Sequence, residues 1–209
     1  MLTRVVLVRH GDSVHKRERV LGGPASCGGL TPLGHDQAAH LAARLASEAE
    51  SWGEVAVYSS AIRRAAETAA PIAEWLGVAA EQDCGLCTWH VPEHADGMPV
   101  ERFQREYAAE GGGVFRPFEH GNETWAELVT RVSAALVGIA ARHRGSTVVV
   151  AGHAETVAAS FGGLGLLGHY YPFELANVRN AAITEWVTEN DPAAFPPARW
   201  TLVRFNDGG

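Results

Sequence analysis

Two histidines in this chain stand in matching surroundings. His10 follows Val5-Val6-Leu7-Val8-Arg9 and precedes Gly11; His153 follows Val148-Val149-Val150-Ala151-Gly152. An imidazole whose ordinary pKa is about 6.5 presents an unprotonated nitrogen near neutral pH, so either ring suits nucleophilic or proton-carrying work. Arg9, beside His10, adds a guanidinium. A second group is Cys84-x-x-Cys87-x-x-His90-x-x-x-His94, four residues of zinc-ligand type. The gap between its halves is much shorter than in zinc fingers, and Pro92 interrupts the helix that would align the two histidines. No metal site is therefore expected, and no cofactor. His35, His40, His120, His143 and His169 follow no pattern and read as surface or helix-end residues.

The elements around these residues follow from periodicity. Val5–Val8 is a β-branched run too short for a helix and reads as a strand buried on both faces. Glycines crowd Gly22–Gly29, which is loop. Thr31 and Pro32 read as the cap and first position of a helix whose apolar side carries Leu33, Ala38, Leu41, Ala42 and Leu45. Val55–Tyr58 is a second strand, followed by a helix from about Ile62 to Leu76 that Gly77 stops. Helices are expected near Val100–Glu110, Glu123–His143 and Glu155–Leu166. Thr147–Val150 is a third strand; Ala182–Thr188 and Trp200–Phe205 are two more. Alternating strands and helices predict one α/β domain over 1–209, three-layered, with a mostly parallel central sheet flanked by helices. The irregular stretch at about 84–121 is an insertion. In such sheets ligands bind at the carboxyl ends of the strands, so both histidines belong to one sheet edge.

Composition narrows the classes further. The 209 residues carry 17 basic and 24 acidic side chains, a net charge of −7, and 46% apolar residues. That excludes a disordered chain or coiled coil and disfavours nucleic-acid binding. Three cysteines, an odd number, do not make a disulfide framework. No apolar window reaches membrane-spanning length and no signal peptide is evident. A cytoplasmic protein with no membrane or nucleic-acid partner is expected. Its oligomeric state is open between monomer and homodimer.

Val8-Arg9-His10-Gly11-Asp12-Ser13 resembles the signature of the histidine phosphatase superfamily, the phosphoglycerate mutase-like enzymes. Four further segments match in order: Leu30–Ala38, Tyr58–Ala65 with Thr68-Ala69, Gly121–Thr124 with Arg131-Val132, and Val148–His153. The resemblance implies a phosphoglycerate mutase-like fold and a division of labour. His10 would attack phosphorus and form a phosphohistidine. Arg9 and Arg64 would clamp phosphate oxygens with bidentate forks, Ser13 would add a hydroxyl, and His153 would hold charge in the transition state. Arg63 would turn away on its helix. With this positive field no metal is required.

Two positions depart from the family. The usual acid, a glutamate two residues after a leucine, maps to Thr88, whose hydroxyl does not release a proton near neutral pH. Glu93 is the favoured replacement, with Asp96 and Glu155 as alternatives. Lys16 stands where many relatives carry a phosphate-binding Asn. The expected activity is a phosphomonoester hydrolase acting on a small phosphorylated metabolite. A phosphomutase is less favoured because the short end Arg204–Gly209 lacks a basic shielding tail. A phosphate sensor without a working acid is the non-enzymatic alternative. The 84–121 segment would form a lid, with Trp89, Phe103, Tyr107, Phe115 and Phe118 as an apolar wall.

Overall fold

The structure, a computed structural model, describes residues 1–166 and 177–208. His169 lies outside them. Six strands form one sheet: β1 (Thr3–Arg9), β2 (Val55–Ser59), β3 (Ala80–Gln82), β4 (Thr147–Gly152), β5 (Ile183–Thr188) and β6 (Thr201–Asp207), in the order β3-β2-β4-β1-β5-β6. The first four strands are mutually parallel, whereas β5 runs antiparallel to both β1 and β6. The helices are α1 (Val14–Glu18), α2 (Pro32–Ala49), α3 (Arg63–Leu76), α4 (Val100–Tyr107), α5 (Trp125–Arg142) and α6 (Ala154–Gly163).

Alternation along β1 divides the core. Val6 and Val8 pack with Leu41, Leu45, Ala69 and Ile72 of α2 and α3. Val5 and Leu7 pack with Leu128, Val132, Leu136 and Val157 of α5 and α6. All four β1 side chains are buried, as a strand covered on both faces requires. The helices begin where local chemistry directs. Thr31 Oγ1 accepts from Gly34 N–H at 3.1 Å with Pro32 at the first position. Thr124 and Glu127 close a reciprocal capping box, so α5 starts at Trp125, two residues after the sequence-based boundary.

Two elements escaped the pattern. α1 is five residues long and buries none of them; β3 is a three-residue edge strand exposed throughout. Neither has the apolar periodicity by which strands and helices are read. Helix α6 also ends at Gly163, short of Leu166, which takes φ 55°.

The β1–β4 pairing sets the site. Arg9 lies opposite Gly152, so the residues that follow, His10 and His153, leave the sheet side by side. His10 N–H donates to Gly152 O and Ser60 N–H to Ala151 O, each at 2.9 Å. Close backbone approach fixes the next turn: a Cβ on Gly11 would stand 2.5 Å from Gly34 O, and one on Gly34 would strike Asp12 O.

Candidate active site

At the carboxyl edge of β1, β2 and β4 the imidazoles of His10 and His153 meet edge to face, centroids 5.3 Å apart. Their hydrogen bonds define the tautomers. His10 Nδ1 stands 2.7 Å from Gly11 O, an acceptor only, so Nδ1 carries the proton. Nε2 is left with its lone pair and accepts from Arg64 Nε at 3.3 Å. His153 Nδ1 faces Arg64 Nη2 at 3.3 Å, an obligatory donor, so the proton of this ring sits on Nε2 and goes to Ser60 Oγ at 2.8 Å. Ser60 in turn accepts from Ile62 N–H and donates to Cys87 Sγ.

Arg64 is the centre of the arrangement. It is 3% exposed, and Nη1 also donates to Gly22 O at 2.7 Å and to Cys27 Sγ at 3.5 Å. Its neighbour Arg63 points outward to Glu67. Arg9 donates to Val178 O, while its Nε is buried without a partner. Ser13 is fully buried and its hydroxyl also has no partner. A guanidinium N–H and a hydroxyl left unsatisfied are costly unless something polar completes them, and both are donors suited to an oxyanion.

The electrostatics favour neutral imidazoles. Burial first, then the charge of Arg64, pulls the His10 pKa well below 6.5, outweighing the Gly11 bond that supports the charged form. Burial and Arg64 act in the same direction on His153. Burial likewise lowers Arg9, with the Arg64 charge adding to it and Glu155 opposing.

Of the residues expected at the site, Arg9, His10, Arg64 and His153 lie around one point and Ser13 is buried close by in sequence. The carboxylates are dispersed. Glu93 is exposed, on the wall of a cleft of about 530 Å³ that also includes Gly23, Ile62, Cys87, Thr88 and Asp96. Asp96 accepts from the Gly23 and Ala25 N–H groups and from Ser26 Oγ. Burial raises its pKa, but these bonds outweigh that and hold it below the usual value. It organises the Gly23–Ser26 loop and is a poor acid. Glu155 is half-buried and lines a second cavity of about 500 Å³ with Trp89, Phe103, Phe118 and Glu119. Burial pushes the Glu119 carboxyl up, against a bond from Asn122. Lys16 is exposed.

Three further residues take part in the arrangement without having been expected in these roles. His15 brings its ring centroid to 6.1 Å from His10, and burial followed by the charges of Arg64, Lys16 and Arg9 lowers its pKa to about 4. Ser60 and Cys87 form the hydrogen-bonded support behind His153. Of the expected apolar wall, Trp89, Phe103 and Phe118 line the second cavity and Tyr107 stacks on Phe103, but Phe115 is 75% exposed.

The chain superposes on solved structures over nearly its whole length. With a mycobacterial glucosyl-3-phosphoglycerate phosphatase the TM-score is 0.79 at 23% identity, covering 99% of this chain and 100% of that one. With a phosphoserine phosphatase mutant from Entamoeba histolytica it is 0.73 at 19% identity, covering 98% and 97%. With phosphoglycerate mutase from Bacillus anthracis it is 0.74 at 17% identity, covering 99% and 94%. Identities this low establish the shared fold. No curated protein matches the chain. The sequence model of the histidine phosphatase superfamily, branch 1, matches residues 5–207, and to that superfamily this chain belongs.

Proposed function

We propose that this protein is a phosphomonoester hydrolase that acts on a small phosphorylated metabolite through a phosphohistidine on His10. The observation that carries the proposal is the His10 tautomer: Nδ1–H donates to Gly11 O, which leaves the Nε2 lone pair among Arg64, Arg9 and His153. In the first step Nε2 attacks phosphorus, the P–N bond forms, and the P–O ester bond breaks. The leaving oxygen takes a proton from a carboxylic acid. In the second step water attacks phosphorus and gives its proton to the same carboxylate. The P–N bond breaks, and phosphate leaves neutral His10 behind.

Arg64 and Arg9 hold the non-bridging oxygens through both steps, with the unpartnered Ser13 hydroxyl as a further donor. His153 stabilises the charge on the transferring group. Glu93 is assigned as the proton donor, because it lines the same cleft as Thr88 and is free of the loop bonds that occupy Asp96. Glu155 is the second reading, favoured by the closeness of its charge to Arg9. Hydrolysis is preferred to mutase chemistry because exposed Cys84, His90 and Glu93 leave the cleft wall open to water. The two phosphatases that share the fold support the same reading. The cavity between Trp89, Phe103 and Phe118 takes the organic part of the substrate, and the 84–121 segment serves as the lid.

The test is phosphate release from a panel of phosphorylated metabolites and an aryl phosphate, by wild type and His10→Ala. A folded His10→Ala protein retaining more than a thousandth of wild-type activity overturns the assignment, since losing a nucleophile costs about 10⁶. Phosphate binding with no turnover of even the aryl ester identifies a sensor instead.

A further inference from the structure

None of Cys84, Cys87 and His90 contacts phosphate in the reading above, and the loop that carries them is held by side chains of α5 and α6. A short 3-10 turn, Cys84–Leu86, brings the two cysteines of the Cys-x-x-Cys pair to one side, and His90 folds back onto them. One ligand-type atom from each of Cys84, Cys87 and His90 lies within 4.8 Å of the other two. Cys84 Sγ stands 3.6 Å from His90 Nε2. For zinc bond lengths of about 2.3 Å to sulfur and 2.0–2.1 Å to nitrogen, the S···N edge of a tetrahedron is about 3.6 Å. The pair is thus already at coordination spacing.

The surroundings hold that spacing in place. Arg131 Nη1 donates to the carbonyls of Cys84, Gly85 and Cys87, and Nη2 to Thr88 O, all within 3.3 Å. Its partner Glu123 accepts from the His90 backbone N–H at 3.0 Å, so one ion pair pins the backbone at both ends of the ligand set. Thr156 Oγ1 ties Leu86 O to α6, and Cys87 Sγ accepts from Ser60 Oγ. Oriented ligands backed by hydrogen-bonded partners are what distinguishes a built metal site from a chance cluster. Cys84 and His90 are exposed, which gives an ion its entry path.

We propose that Cys84, Cys87 and His90 form a binding site for a single zinc ion, with the fourth coordination position open. Two sulfurs and one imidazole select a borderline-soft divalent ion over magnesium or calcium. Among the described residues no fourth histidine, cysteine or carboxylate joins the three. An open position beside three protein ligands is the pattern of sites that hold exchangeable water or an incoming ligand. Coordination takes both cysteines as thiolates and His90 as a neutral ring, so each zinc bound to the fully reduced thiol form displaces two protons into solvent. His94, the fourth candidate in the sequence, is not a ligand: the Glu93–Ala95 turn after Pro92 carries it to Tyr107, ring centroids 5.1 Å apart. The metal would sit one serine away from His153, because Ser60 bridges Cys87 and that ring.

The experiment uses the full chain, reduced and freed of metal, titrated with zinc and separately with cobalt(II). The expected result is one equivalent of zinc and, with cobalt, thiolate-to-metal charge-transfer bands of an intensity for two sulfurs. Cys84→Ser should lose the stoichiometric site, His90→Ala should weaken binding at least tenfold, and His94→Ala should change neither. Glu123→Gln, which touches no metal, should weaken binding about tenfold to a hundredfold by freeing the His90 backbone. Absence of zinc uptake by the reduced protein overturns the proposal. So does cobalt binding without sulfur bands, or uptake that survives in Cys84→Ser. Should Cys84→Ser misfold, the cobalt spectrum of the wild-type chain still decides, since its bands count the sulfurs directly.

Discussion

Replacing Arg64 by glutamine separates two things that this one side chain does. Its Nε, Nη1 and Nη2 groups are directed at His10, at Gly22 O and Cys27, and at His153. In the proposed reaction, the groups facing the two histidines are the fork that holds the phosphate oxygens. Glutamine keeps one amide donor and no charge. Losing one preorganised donor to a developing oxyanion costs about 10²–10³ in rate, and losing an arginine at a transferring phosphoryl group about 10³–10⁵. Arg64→Gln is therefore expected to reduce kcat/KM on an aryl phosphate about 10³-fold, or about 4 kcal/mol at 1.36 kcal/mol per tenfold. The second effect is on pH. The Arg64 charge is second only to burial in holding His10 unprotonated. Without it the folded-state pKa rises, and the acid limb of kcat/KM moves to higher pH. Arg64→Lys keeps the charge but not the fork, so it should lose rate while the limb stays near its wild-type position. The substrate's own ionisation is common to all three proteins and cancels in the comparison. Thermal melts confirm that each variant is folded. A loss below tenfold in Arg64→Gln, or an acid limb that stays put in both variants, refutes the placement of Arg64 between nucleophile and phosphate.

Glu93→Gln is expected to slow alkyl phosphates by about 10²–10⁴ while barely changing aryl phosphates, whose phenolate leaves without a proton; if Glu93→Gln is silent and Glu155→Gln shows that pattern, the acid is Glu155. Binding of sulfate, a dianion that does not titrate near neutrality, should draw protons onto the histidine pair near pH 6, because its charge opposes the lowering by burial and Arg64; calorimetry in buffers of different ionisation enthalpy measures this, and zero uptake contradicts it. His15 titrates at 6.5 when unfolded and about 4 when folded, so the folded chain binds fewer protons in that window. Its contribution to stability is whole above pH 6.5 and declines as the pH falls towards 4. Urea unfolding of His15→Gln should accordingly show a shallower loss between those values, and an unchanged slope would refute the burial of this ring.

The sheet and the two histidines were readable because β-branched runs ending in His are local signals, and parallel pairing then brings their ends together. Arg64 was separable from Arg63 through the family's motif and the roughly 100° turn between neighbours on a helix, and the structure has Arg64 only 3% exposed while Arg63 reaches outward to Glu67. His15 was not readable. It lies in a five-residue helix with no apolar face, and it reaches His10 only through the turn fixed by Gly11 and Gly34. The Cys84–His94 spacing suggested four equivalent candidates; the turn after Pro92 divides them into three and one, a distinction that depends on backbone direction. The proposed acid Glu93 has no comparable signal, because an exposed carboxylate in an irregular segment obeys no periodicity.

Arg131 grips the loop at 84–88 entirely through carbonyl oxygens, four of them from a single guanidinium. A grip of this kind is blind to side-chain identity. The four anchors thus do not depend on the side chain at position 88, since the threonine there enters them through its backbone oxygen. A change of side chain at this position therefore leaves all four backbone anchors available to Arg131. A glutamate introduced at Thr88 would meet the same four anchors.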